Sequence, residues 1–216
     1  MPASDAVDFK PPPGTDFGPQ RGAPFAMLRK VALSQYGLPC NSPPWGETVA
    51  LDVRAGKILW RSSVGTTEDR APLGLALKWG TPLVNGVAVT AGGLIFTGAG
   101  DAYLRALDAA TGEEVWQGRL PVPGIANPMT YLWKGEQYVV ISAGGHSEVG
   151  TSIGDSVVAF RLARAGEAPS LWSRTIDRPG GRFAAGALAV LGAIAGVAFA
   201  LLAWRRAARR KAQAPA

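Results

Sequence analysis

Few side chains in this sequence have the chemistry to bind a small molecule, and the first is the single histidine. His146 lies in the stretch SAGGHS (residues 142–147), directly after an apolar run typical of a strand. An imidazole there can hydrogen-bond a ligand hydroxyl in either protonation state near neutral pH. Gly144 and Gly145 would let the backbone approach that ligand closely. The alternative is a solvated loop histidine with no ligand.

Asp101 is the second candidate, because it follows the sequence Gly-Ala-Gly at residues 98–100 and precedes an apolar run. A carboxylate in such a loop can support a cation or a neighbouring base. The other interpretation is a turn aspartate between two strands, and the residues alone leave both open.

Composition excludes several kinds of site. One cysteine, Cys40, and one histidine exclude a disulfide framework and the usual zinc sites. The sequence has no G-x-G-x-x-G that opens a helix after a strand, so a nicotinamide site is not expected. The net charge is +6, but five of the positive charges lie in residues 205–216, which leaves +1 for the rest. A nucleic-acid-binding body is therefore not expected.

An internal repeat indicates how these residues are positioned. The pattern A-L-D-x3-G-x3-W occurs at residues 50–60 and again at residues 106–116, a spacing of 56 residues. Each copy predicts a hairpin, with Asp52 or Asp108 as the turn former and the tryptophan packing between neighbouring units. Several short strands per unit at this period indicate a β-propeller or a related β array.

The strand pattern predicts one nearly complete blade and parts of two others. Strands are expected at residues 87–90, 93–97, 103–107 and 114–117, then at 129–133, 137–142 and 157–162, with a hairpin turn at residues 134–136. A propeller needs about four to eight blades. The fold class is therefore all-β, a partial propeller of two to three blades from a larger toroid.

Taken in order, several non-repetitive segments resemble the C-terminal end of the membrane-bound quinoprotein glucose dehydrogenases. These enzymes use pyrroloquinoline quinone (PQQ) and have eight-bladed propellers. The matching segments cover residues 36–162 and include YGLPCNSPPWG (36–46), TAGGLIF (90–96), DAYLRA (101–106), PMTY (128–131) and ISAGGH (141–146). The sequence is accordingly expected to form the last two to three blades of such a propeller.

The resemblance implies a function and a set of site residues. It places His146 at the sugar pocket as a substrate-binding residue, and Asp101, Gly144 and Gly145 beside the cofactor. It implies PQQ with a divalent cation (Mg²⁺ or Ca²⁺), oxidation of an aldose, and electron transfer to ubiquinone. The catalytic carboxylate and most cation ligands belong to upstream blades, so no catalytic residue is expected in this segment and its metal ligands stay unassigned. A separate chain that supplies those blades is an expected partner.

The C-terminal part predicts a membrane anchor. Residues 183–204 contain no charge and no proline, and as a helix they would extend roughly 33 Å, enough for a hydrocarbon core of about 30 Å. The five cations that follow favour a cytoplasmic C-terminus and a periplasmic body. The predicted organisation is an extended Pro/Gly-rich segment (1–35), propeller blades (36–164), a linker (165–182), an inner-membrane helix (183–204) and a basic tail (205–216).

A non-enzymatic function is the competing hypothesis. The same strands could form a membrane-anchored scaffold, because propeller folds serve many unrelated functions. The AGGH loop and the aspartate before YLRA favour the oxidoreductase, since a scaffold has no need of them.

Overall fold

In a computed structural model, the described residues are 10–13, 15–20, 22–82, 84–163, 166, 187–188, 190–192 and 194–195. The chain divides into two units at the boundary between Ser42 and Pro43. In the first unit, β1 (Asp16–Gly18) pairs antiparallel with β2 (Met27–Arg29), and an Arg29–Asp16 ion pair links the two strands. This short hairpin lies within the segment that the composition described as extended.

The second unit contains three antiparallel sheets in chain order, each with its strands adjacent to their sequence neighbours. The first is a hairpin, the second has four strands and the third has three. Their bounds are β3 (Glu47–Asp52) and β4 (Lys57–Ser63); β5 (Ala88–Val89), β6 (Leu94–Gly98), β7 (Tyr103–Asp108) and β8 (Glu114–Arg119); β9 (Met129–Trp133), β10 (Glu136–Ala143) and β11 (Ser156–Arg161). The mostly-β architecture that the sequence predicted is confirmed, including each predicted strand of the second unit.

The repeated turns form as the A-L-D-x3-G pattern predicts. The Asp52 carboxylate accepts backbone N–H groups from residues 54 and 55, and the Asp108 carboxylate accepts those from residues 110 and 111. These bonds lower the pKa of the Asp108 carboxyl. Gly56 and Gly112 close the turns at φ of 64° and 74°, a region that favours glycine.

Trp60 joins the first sheet to the second. Its indole N–H donates to the Ala109 carbonyl (3.1 Å), and its ring fills the space that a Cβ on Gly112 would occupy. Trp116, the equivalent residue one repeat later, packs edge-on against Phe160 of the third sheet. The prediction that these tryptophans pack between neighbouring units is confirmed, although Trp116 stays 39% exposed.

The core is centred on β7, which is buried on both faces. Leu104 and Ala106 face one cluster with Ile141 of the third sheet, whereas Leu107 faces another with Val64 beside the first hairpin. Since alternate side chains point to opposite faces of a strand, Tyr103 and Arg105 share the face of Leu107. The sequence places a charged side chain on this buried strand, and the candidate site begins there.

Within the described part of the chain, no helix is long and apolar enough to cross a membrane. Most of residues 183–204 lie outside the described residues, as do nearly all of the predicted linker and the basic tail. The membrane span and the domain limits therefore stay predictions.

Candidate functional site

Three connections between strands come together at one end of the sheets. They are residues 64–87 between β4 and β5, residues 99–102 between β6 and β7, and residues 144–155 between β10 and β11. Thr66 and Asp69 of the first connection bond to residues 101 and 102 of the second, and Arg70 bonds to the third. The fold thus brings both sequence candidates, Asp101 and His146, into one cluster of loops.

Asp101 is the centre of a buried ion pair. Its two carboxylate oxygens accept from the Arg105 guanidinium at 2.7 and 2.5 Å, and both side chains are 1% exposed. The same carboxylate accepts the backbone N–H (2.7 Å) and the hydroxyl (2.9 Å) of Thr66. Protein groups therefore engage both oxygens of Asp101, which holds the first connection against β7.

Arg105 has a second carboxylate beside it. Its Nε lies 3.4 Å from Glu114 of β8, and Glu114 also pairs with Lys78. Burial by itself lowers the pKa of Arg105, but the charges of Asp101 and Glu114 outweigh it and raise that pKa above its usual value. The guanidinium is thus a fixed positive charge in the interior.

A second polar network lies beside the first. The Tyr103 hydroxyl donates to Glu68 (2.8 Å), and the Arg119 guanidinium lies over the Tyr103 ring at 4.6 Å. Arg119 also pairs with Asp69, whose other oxygen accepts the Ala102 N–H (2.8 Å). Burial, and then the bond to Glu68, raises the pKa of Tyr103, so the phenol stays protonated. This network fastens residues 68 and 69 to the start of β7.

The loop that carries His146 is tightly held by its own backbone. The Gly145 N–H donates to the Pro123 carbonyl (2.9 Å), and the Gly154 N–H donates to the Gly144 carbonyl (3.1 Å). Gly145 has φ of 67°, and a Cβ there would overlap the Ser152 carbonyl oxygen. A glycine is required at 145 on both grounds, whereas at Gly144 a Cβ would make only ordinary contacts.

His146 is half-buried, and its ring nitrogen Nδ1 is a distinctive feature of this loop. Its backbone N–H donates to the Thr151 hydroxyl at 2.7 Å. Nδ1 is buried and has no hydrogen-bond partner among the described residues. Buried polar atoms in proteins nearly always have a partner, so this nitrogen has unused hydrogen-bonding capacity that a water or a ligand group would satisfy. This atom can take one polar group of a small molecule.

Sequence reasoning found the two loops but missed the residues that connect them. These are the charged and aromatic members of the networks, Glu68, Asp69, Arg70, Tyr103, Arg105 and Arg119. The signal available was Arg105 within an otherwise apolar strand, and the charged run EDR at residues 68–70. The side-chain bonds of residues 68–70 join positions 33 to 80 residues apart, so the run does not reveal its partners. Asp101 lies only four positions before Arg105, but the residues alone left its role open.

Comparison with known proteins identifies the family to which these β-strands belong. The family model described as the glucose/ethanol/alcohol dehydrogenase β-propeller domain, which is a PQQ domain, matches residues 3–139. The chain belongs to this family. The resemblance that the sequence motifs predicted is confirmed, and the match begins upstream of residue 36, where the motifs began.

The relatives of this PQQ propeller are dehydrogenases. The chain is 44% identical to the quinoprotein glucose dehydrogenase of Escherichia coli K12 over 69% of its length and 42% identical to glucose dehydrogenase A of Acinetobacter calcoaceticus, also over 69%. It is 43% identical over 76% of its length to the glycerol dehydrogenase large subunit of Gluconobacter thailandicus. The matched segments are 19–23% of those proteins, so the chain spans about a fifth of the length of its relatives.

The family implies PQQ and a divalent cation. The buried Nδ1 of His146 fits one hydrogen bond to a cofactor or to a substrate hydroxyl. The cation fits less well, because the described residues contain no group of three or more His, Cys, Asp or Glu side chains that could hold a metal ion. Asp101, with both oxygens engaged, is held within the fold. Its expected place beside the cofactor, with those of Gly144 and Gly145, stays a prediction.

Proposed function

We propose that this chain is a segment of a membrane-bound PQQ-dependent dehydrogenase that oxidises an aldose and passes the electrons to ubiquinone. The observation that carries the proposal is the buried, unpartnered Nδ1 of His146 on the glycine-rich loop of a PQQ-family propeller. Two glucose dehydrogenases among the relatives support the aldose. The scaffold hypothesis is not favoured, because the matched relatives are dehydrogenases.

When bound, PQQ supplies the redox chemistry by accepting the electrons of the substrate C–H bond. The residues of this chain bind the substrate and the cofactor and orient them. In this proposal His146 hydrogen-bonds a sugar hydroxyl, and Gly144 and Gly145 bring the backbone close to the cofactor. Asp101, locked by Arg105, keeps the first connection in place beside them. The cation, Mg²⁺ or Ca²⁺, takes its ligands mainly from upstream blades.

We also propose that those blades come from further propeller sequence outside this chain and that they dock on the first hairpin. The internal repeat supports this arrangement. At Gly112, the space that a Cβ would occupy is filled by Trp60 of the preceding hairpin, whereas at the equivalent Gly56 no atom of the described residues lies within 4 Å of that position. Beside Gly56, the Val53 side chain is 88% exposed. An indole from a preceding blade would fit against this turn as Trp60 does against Gly112.

Reconstitution tests the function. Residues 36–162 are exchanged into the E. coli glucose dehydrogenase, and the hybrid is loaded with PQQ and Mg²⁺ or Ca²⁺. We expect glucose-dependent dye reduction by the hybrid and none by the 216-residue chain alone, because most of the central site lies in other blades. The unmodified relative is the control. A hybrid that folds and binds PQQ but oxidises no aldose would overturn the proposal.

In the same hybrid, His146→Ala should lower kcat/KM for the sugar about two- to tenfold. The loss of one hydrogen bond to a neutral hydroxyl corresponds to roughly 0.5–1.5 kcal/mol. The half-buried loop position leaves no large cavity, so the melting temperature should change little. Unchanged sugar kinetics with a lowered melting temperature would assign His146 a purely structural role.

We propose that residues 183–204 anchor the protein in the inner membrane, with the body periplasmic and residues 205–216 cytoplasmic. The uncharged run and the five cations after it support this orientation. A cytoplasmic reporter fused after Ala216 should be active, and a periplasmic reporter at the same position should be inactive. The reverse pattern would contradict the orientation.

A further inference from the structure

Arg70 connects two loops that are distant in sequence. Its Nη2 donates to the carbonyl oxygens of Val149 and Gly150, both at 3.0 Å. The donor and these acceptors are 79 and 80 positions apart. A guanidinium is positively charged at any physiological pH, so both bonds are charge-assisted and stronger than bonds between neutral groups.

The backbone of Arg70 is held in place by hydrogen bonds. Its backbone N–H donates to the Thr67 carbonyl (3.0 Å), which also accepts the N–H of Ala71 at 2.7 Å. The preceding residue, Asp69, is bound to the Ala102 N–H and to Arg119. Arg70 therefore extends from a segment that is itself anchored on the buried start of β7.

The two carbonyls that Arg70 binds belong to a single turn that starts at His146. The His146 carbonyl accepts the N–H groups of Val149 (3.2 Å) and Thr151 (3.3 Å), and Gly150 closes the turn at φ of 66°. Because these residues share one hydrogen-bonded turn, fixing the carbonyls of Val149 and Gly150 also fixes the backbone of His146.

We infer that Arg70 is a positioning residue that holds the turn of residues 146–151 and thereby orients the His146 imidazole toward its ligand. The inference rests on the proposed function for the identity of that ligand. Arg70 acts through the backbone carbonyls of Val149 and Gly150. Its contribution is preorganisation, which spares bound substrate the cost of ordering the loop.

The single histidine makes the inference directly testable in the 216-residue chain. Its imidazole signals in a ¹⁵N-labelled sample report this turn without ambiguity, because no other histidine is present. The variants are Arg70→Gln, Arg70→Lys, and the control Arg54→Gln, which removes an exposed arginine from the β3–β4 turn. Amide hydrogen exchange of residues 146–151 is measured on the same samples.

We expect Arg70→Gln to raise exchange in residues 146–151 about tenfold and to shift the imidazole signals, since two charge-assisted bonds hold the turn. Arg70→Lys should restore part of the protection, because an ammonium can still donate to the carbonyls. Arg54→Gln should leave both measurements at wild-type values. Wild-type exchange and imidazole signals in Arg70→Gln would overturn the inference, whatever the melting temperature.

Kinetic measurements on the hybrid distinguish a failure of this inference from a failure of the proposed function. In the hybrid dehydrogenase that keeps His146, Arg70→Gln should lower kcat/KM for the sugar. In the hybrid that already carries His146→Ala, it should have no further effect. Full additivity of the two substitutions would overturn the action of Arg70 through His146. A hybrid that folds and binds PQQ but oxidises no aldose would instead refute the proposed function, while the exchange measurements would still decide whether Arg70 holds the turn.

Discussion

Arg105→Met should lower the free energy of unfolding of the second unit by about 3–5 kcal/mol, because it leaves a buried carboxylate without its counter-ion. Asp101 and Arg105 are each 1% exposed and are joined by two hydrogen bonds. Methionine fills much of the volume of the arginine stem, so the loss reports the charge pair more than a cavity. Urea denaturation followed by tryptophan fluorescence measures the change.

The matched control for this variant is Arg61→Met. Arg61 and Glu47 also form a cross-strand ion pair, at 3.4 Å, but the two side chains are 53% and 29% exposed. Solvent screening limits such a pair to about 0–1 kcal/mol. Equal losses for the two variants would show that the burial of Arg105 does not determine the strength of its pair. The double variant Asp101→Asn/Arg105→Met should recover part of the loss, since no unpaired charge remains buried.

Gly112→Ala should lower the free energy of unfolding by roughly 2–5 kcal/mol. Gly112 has φ of 74°, which costs an alanine about 1–2 kcal/mol. Its new Cβ would also enter the Trp60 ring, and overpacking of this kind costs about 1–3 kcal/mol. If the indole moves away from the new Cβ, its hydrogen bond to the Ala109 carbonyl is lost. Thermal and urea unfolding measure the total.

Gly56→Ala separates the two contributions. Gly56 closes the equivalent turn at φ of 64°, and in the part of the chain that the structure describes nothing lies within 4 Å of the added Cβ. In the isolated chain, Gly56→Ala should therefore lower the free energy of unfolding only by the cost of the positive φ, about 1–2 kcal/mol. Equal losses at Gly56 and Gly112 would show that Trp60 does not pack on the Gly112 turn. If upstream blades dock on Gly56, the same variant should weaken their association.

The strands and turns were predictable from the sequence because the signals that set them are local. The A-L-D-x3-G-x3-W repeat contains the turn carboxylate, the left-handed glycine and the returning strand within eleven residues. Ordered motifs such as ISAGGH identified the family for the same reason, since each is a contiguous segment. His146 and Gly145 could be placed on a glycine-rich loop without knowledge of any distant residue.

Only the tertiary structure decided which charges meet. Arg105 looks like a solvent-facing residue of a strand until sheets pack on both faces of β7 and leave Asp101 as its counter-ion. Arg70 reaches Val149 only because the connections after β4 and β10 end at the same edge of the sheets. Side-chain alternation along a strand specifies a face but not what covers it. The partners of these charges depend on how the sheets and their connections pack, which no local pattern contains.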